Sequence, residues 1–197
     1  MVALTLASAP AGSLSGQTRE PRPASSYATA VGTPLRAIIV FGDPYNGDEL
    51  YDAKITVAEI VRGEEAWQMV KAASPKNMSP PAAMEYLLAR VRFEFSARTS
   101  PEHYSYALDQ AQFTAMSVDG KPYASAVLAG PLKPALHATL RSRDSAEGWV
   151  AFLVPRGDHT PLMLFREDVG SVIHEGNGSI FKLYDEKSPA PGRAKAS

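Results

Sequence analysis

Cysteine is absent from the 197 residues. That excludes disulfides, thiolate metal sites, cysteine nucleophiles and lipid attachment through a lipobox cysteine in this sequence. It does not fix the compartment, because exported proteins can also do without it. A dominant charge sign is missing too: 20 Lys and Arg against 21 Asp and Glu give a net charge of -1. There is therefore no basic field to hold nucleic acid or an anionic membrane. No apolar run approaches the ~20 residues needed to cross a bilayer. Phosphate-cradling glycine loops, dinucleotide fingerprints and the Gly-x-Ser-x-Gly elbow are lacking. His103, His137, His159 and His174 are scattered, and none has a second ligand at zinc spacing.

What remains is an ordinary globular composition, 45% hydrophobic and 21% charged, long enough for one well-buried domain with tails. Residues 1–30 are rich in Ala, Ser, Pro and Gly, which bury too little apolar area to order themselves. Ala7-Ser8-Ala9 fits a signal-peptidase pattern, but the first basic residue is Arg19. The segment reads either as a residual export signal or as a disordered terminus. Residues 186–197 are polar with two prolines and read as a disordered tail. The folded domain is expected over residues 31–185.

Its centre is the stretch 51–95. Tyr51, Ala53, Ile55 and Val57 alternate with Asp52, Lys54, Thr56 and Ala58, the period of a half-buried strand. Gly63 breaks that pattern, and residues 64–73 read as a short helix with Glu64 and Glu65 in its first turn, Lys71 near its end, and Ala66, Trp67, Val70 and Ala73 on the side that packs on the sandwich. After Pro75, Pro80 and Pro81 the strand period returns: Leu87, Ala89, Val91, Phe93 and Phe95 face one way, Arg90, Arg92 and Glu94 the other. Further strands are expected at 35–41, 112–117, 123–128, 136–141, 148–154, 162–165 and 179–184. Asp119-Gly120 marks a hairpin, and Asn177-Gly178 precedes the last strand. The run 148–154, apolar on both faces, predicts a central strand. Eight or nine short strands with one helix predict an all-β antiparallel sandwich carrying one short inserted α-helix.

Residues 57–67, reading Val-Ala-Glu-Ile-Val-Arg-Gly-Glu-Glu-Ala-Trp, resemble the signature of an uncharacterised bacterial family. These are immunoglobulin-like domains of exported proteins and lipoproteins that carry a telomeric-repeat-binding-factor-2-like label and group with the immunoprotective extracellular antigen superfamily. Residues 85–91, Phe113 with 119–123, and 147–155 resemble it further, as do 18–21 and 31–34. The resemblance implies an immunoglobulin-like sandwich located outside the cell or in the cell envelope. The chain departs from the family in lacking the lipobox cysteine and a complete signal region.

Three kinds of function follow. The first is a non-enzymatic interaction module without a cofactor, whose partner is a protein or another cell-surface component. Its contacts are expected on the insertion, at Gln68, Lys71, Lys76 and Met78, with residues 76–78 exposed and methionine adapting to irregular surfaces. Gly63, Trp67 and Trp149 are structural, and a core-anchored Trp67 predicts a loss of ~3–5 kcal/mol on truncation. The second is a calcium- or small-ligand-binding module using the oxygens of Asp43, Asp48, Glu49 and Asp52, although solvated turn carboxylates are commoner. The third is a hydrolase. Glu64 and Glu65 point about 100° apart on a helix, a poor geometry for a shared acid/base task. Asn77 and Asn177 open glycosylation sequons, which matter only in a eukaryotic secretory host.

Overall fold

In the computed structural model the described residues are 24–43, 47–98, 102–166, 171–173 and 179–185. Residues 44–46, the Asn177-Gly178 pair expected before the last strand, the segment 1–23 and the tail 186–197 lie outside them, as does the side chain of Asp43. In chain order the elements are β1 (Leu35–Asp43), β2 (Gly47–Arg62), α1 (Glu64–Ala73), β3 (Met84–Ala97), β4 (Tyr106–Asp109), β5 (Phe113–Met116), β6 (His137–Leu140), β7 (Ser145–Pro155), β8 (Leu162–Phe165), β9 (Ser171–Ile173) and β10 (Ser179–Lys182). The fold is an all-β, antiparallel, sandwich-like arrangement with one α-helix between its two longest strands.

The long strands form because their apolar residues alternate over more than ten positions, which only a sheet can bury on one face. β2 and β3 pair antiparallel from Tyr51↔Ala97 to Arg62↔Leu87. They are the middle of a five-stranded sheet in the order β7-β3-β2-β1-β9. A second layer consists of a three-stranded sheet, β10-β8-β5, and the pair β4-β6. The main core lies between the layers. The large sheet gives Tyr51, Ile55, Val91, Phe93 and Phe95, and the small sheets give Tyr106, Leu108, Phe165 and Phe181. Phe93 stacks on Tyr106 across the interface, with ring centroids 5.4 Å apart.

A bulge between Val57 and Glu59 shifts the register of β2 by one residue. Beyond it Val61 turns to the outer face of the large sheet, beside Tyr86 and Leu88 of β3 and Trp149 of β7. This apolar outer patch is what α1 covers, through its buried Ala66 and Val70. Gly63 sits at the helix start with φ 71°, a conformation that a side chain would strain. Its N–H donates to the Tyr86 carbonyl at 3.0 Å, and its carbonyl opens the helix by accepting from Trp67 N.

Four expectations need correction. β7 is an edge strand of the large sheet; it is apolar on both faces because the core covers one and the α1 patch the other. Residues 123–128 form no strand. The turn at Asp119-Gly120 is present, with Gly120 at φ 78° and Ser117 N bonded to Lys121 O at 2.9 Å. Past Tyr123, however, the chain leaves β5 and makes a single bridge, Ser125↔Phe152, to β7. Residues 24–30 belong to the folded part, since Thr29 bridges Phe181. Ala73, expected on the buried side of the helix, is exposed.

Candidate functional site

The helical insertion leaves the sheet at Gly63 and returns at Met84. Its loop is tied down at several points. The Tyr86 hydroxyl donates to Met78 O at 3.0 Å, and burial raises the pKa of that hydroxyl above its ordinary value, so it stays a neutral donor. Arg156 Nε donates to Ala82 O at 3.1 Å. The strongest tie is Asn77, expected in an exposed loop but buried, with 7% of its surface exposed. Its amide nitrogen donates to Val70 O at 2.7 Å and Gly130 O at 3.3 Å, and its oxygen accepts from Ala129 N at 2.7 Å and Gly130 N at 3.2 Å. One side chain thus joins the end of α1, the proline loop and the segment 126–132. Sequence reasoning missed it, because only tertiary contacts distinguish a buried asparagine from a turn asparagine.

On this pinned base Met78 is 78% exposed, and Val127, on the segment that Asn77 clasps, is 87% exposed. Gln68, Lys71 and Lys76 are exposed on the same insertion, and Gln68 bonds Glu64 one turn back. Trp67 is half-buried and stacks on Tyr86, centroids 5.9 Å apart and planes 11° from parallel. Beside it Gly63, Trp67, Pro80 and Glu85 line a cavity of about 210 Å³. Glu85 is held there by Arg62 at 2.5 Å, with Arg156 at 4.0 Å.

The acidic cluster does not converge. Asp48 is exposed. Asp52 points to the outer face, where Arg98 holds it at 2.7 Å. Glu49 has the opposite strand parity and turns inward, accepting from Tyr51 Oη at 2.7 Å and His103 N at 3.1 Å, with the His103 ring on its other oxygen. The Tyr51 hydroxyl, then His103, hold its carboxyl below the usual glutamate range. Among the described residues no group of three or more His, Asp or Glu side chains could hold a metal ion. His137 pairs with Asp109 at 2.9 Å, His159 is exposed, and His174 lies outside the described residues. The parity that Glu49 shares with Tyr51 and Ala53 was the available signal for its inward position.

No family model matches the chain, and no curated protein matches it in sequence. Among solved structures it is similar to the crystal structure of a "putative lipoprotein (ycdA)" from Bacillus subtilis subsp. subtilis str. 168, at 14% identity and a TM-score of 0.42. The match covers 66% of this chain and 35% of that one, so the chain spans about a third of that protein's length. No helix among the described residues is long and apolar enough to cross a membrane.

Proposed function

We propose that this chain is a non-enzymatic, exported interaction module of immunoglobulin-like type, and that its partner docks on the helical insertion. The observation that carries the reading is the exposure of Met78 and Val127, 78% and 87%, on two loops fastened to each other by Asn77. Apolar side chains presented on a backbone that is already fixed spare the cost of ordering that backbone on binding, which favours contact with a partner. Lys71, Lys76 and Gln68 supply a polar surround of the kind that rims protein interfaces. The placement outside the cell rests on the resemblance of residues 57–67 and 147–155 to exported domains. The partner is a protein or another cell-surface component.

The test is site-specific photo-crosslinking in cell-envelope extract. A crosslinker at Met78 or Val127 is expected to trap the same partner, while one at the exposed Thr139 on β6 traps none. Equal labelling from all three positions, or none from the insertion, overturns the reading.

A further inference from the structure

We propose that the insertion docks on an anionic lipid surface, with Met78 and Val127 entering the headgroup region and lysines meeting the lipid charge. The proposal rests on the insertion being the docking face, and it names the partner.

The net charge of -1 conceals a local surplus. Residues 71–83 and 124–135, the two stretches that Asn77 joins, contain no Asp or Glu. Lys71, Lys76 and Lys133 are exposed there, and none is in an ion pair among the described residues. The carboxylates around them are engaged or distant. Glu85 is held by Arg62 at 2.5 Å, and Glu147 on β7 by Arg92 at 2.7 Å and Arg90 at 2.6 Å. Glu64 and Glu65 stand at the other end of α1, about 10 Å along its axis from Lys71.

The rest of this surface is apolar. Besides the lysines, Met78 and Val127, the exposed residues of the two stretches are alanine, proline and serine. Met78 follows Asn77, and Val127 precedes Ala129 by two residues, so the clasp keeps their Cα atoms within roughly 16 Å.

That composition separates the two kinds of partner. Protein interfaces rely on Trp, Tyr and Arg anchors and are depleted in lysine and alanine. These stretches contain no Trp, Tyr or Arg and expose the depleted types. An anionic lipid surface uses the same residues well. Each lysine near the headgroups adds attraction while its methylene stem lies along the apolar boundary, and Met78 and Val127 leave water.

The backbone suits that environment too. An N–H carried toward the acyl boundary must keep a partner. Pro75, Pro81, Pro131 and Pro134 have no N–H to satisfy. The Ala129 and Gly130 N–H groups are already taken by Asn77, and the Met78 carbonyl by the Tyr86 hydroxyl. Two apolar side chains and three lysines give reversible attachment rather than insertion across the bilayer.

The chain has no cysteine, so Met78→Cys, Val127→Cys and Thr139→Cys each accept a single environment-sensitive dye. Vesicles of phosphatidylcholine and phosphatidylglycerol, three to one, are expected to shift the first two dyes to the blue and leave the third unchanged. In flotation of the unlabelled chain, binding should fall about ten-fold or more without phosphatidylglycerol or in high salt. Met78→Asp, and Lys71→Gln, Lys76→Gln and Lys133→Gln combined, should cause a similar loss with the melting temperature unchanged, since all four side chains are exposed. No flotation of the parent chain, equal flotation with neutral vesicles, or an equal shift from the dye at position 139 overturns the proposal. If no vesicle binds but crosslinking from Met78 and Val127 traps one protein, the lipid partner falls and the docking face stands. If crosslinking fails as well, both fall.

Discussion

The side-chain oxygen of Asn77 accepts the backbone N–H of Ala129 at 2.7 Å, across 52 residues of sequence. With its three companion bonds this contact fixes the insertion to a loop from another part of the chain. Asn77→Ala would leave the Gly130 carbonyl and the Ala129 and Gly130 N–H groups short of a partner, while the Val70 carbonyl keeps the Ser74 N–H at 3.4 Å. Each unsatisfied buried group costs ~1–3 kcal/mol, and relaxation toward water offsets part of the sum. Urea unfolding is expected to show a loss of about 2–3 kcal/mol. A loss below about 0.5 kcal/mol would mean that the clasp adds nothing to stability.

The two tryptophans should separate by burial. Trp149 is 8% exposed beneath α1, and Trp149→Ala should cost ~3–5 kcal/mol. Trp67 lies over the edge of the same cluster and keeps one side toward solvent. Its truncation is expected to cost about 1–3 kcal/mol, less than a core anchor would, from lost stacking and partial burial. Equal losses in parallel unfolding curves would contradict this ordering.

Gly148 predicts a severe substitution. A Cβ there would stand 2.4 Å from Leu136 N and 2.5 Å from Ala135 C. Both are backbone atoms, and that backbone is held by Trp149 N bonding to Pro134 O at 2.9 Å. Since no rotamer relieves a backbone clash, Gly148→Ala should cost ~3 kcal/mol or more. Gly157→Ala, where a Cβ would meet nothing within 4 Å, is the control and should stay within about 0.5 kcal/mol.

Sequence patterning showed most of this fold because β2 and β3 alternate so regularly, and because Gly63 with Glu64 and Glu65 marks a helix start. Edge and centre were not legible: a strand apolar on both faces, as β7 is, reads the same whether another strand or a helix covers it. Residues 123–128 failed for a related reason, since alternation cannot report which sheet a segment joins. Exposure of Gln68, Lys71, Lys76 and Met78 was readable from helix spacing and the prolines. The roles of Asn77 and Glu49 were not, because each depends on partners more than 40 residues away.

Glu49 gives the pH dependence a definite sign. Its carboxylate accepts bonds from Tyr51 and from the backbone and ring of His103, and Tyr104 beyond it stacks on Phe41 with centroids 4.9 Å apart. The carboxylate therefore holds residues 103 and 104 over the end of the core. Hydrogen bonds to the charged form, from Tyr51 first, lower its pKa from the ordinary 4.5. A group whose pKa is lower in the folded state stabilises fully above its unfolded value and loses that contribution as pH falls through its folded value. Stability should therefore decline as pH drops below about 4.5. Asp109 and Glu147 are lowered as well, by the Ala111 N–H and by Arg92 respectively, so they steepen the same decline. The diagnostic is thus a difference: Glu49→Gln should be less stable than the parent at neutral pH, and the gap should shrink as both are titrated to pH 3. Amide exchange at His103 and Tyr104 should quicken in the variant at neutral pH. A gap that stays constant from pH 7 to pH 3 would show that Glu49 does not ionise differently on folding.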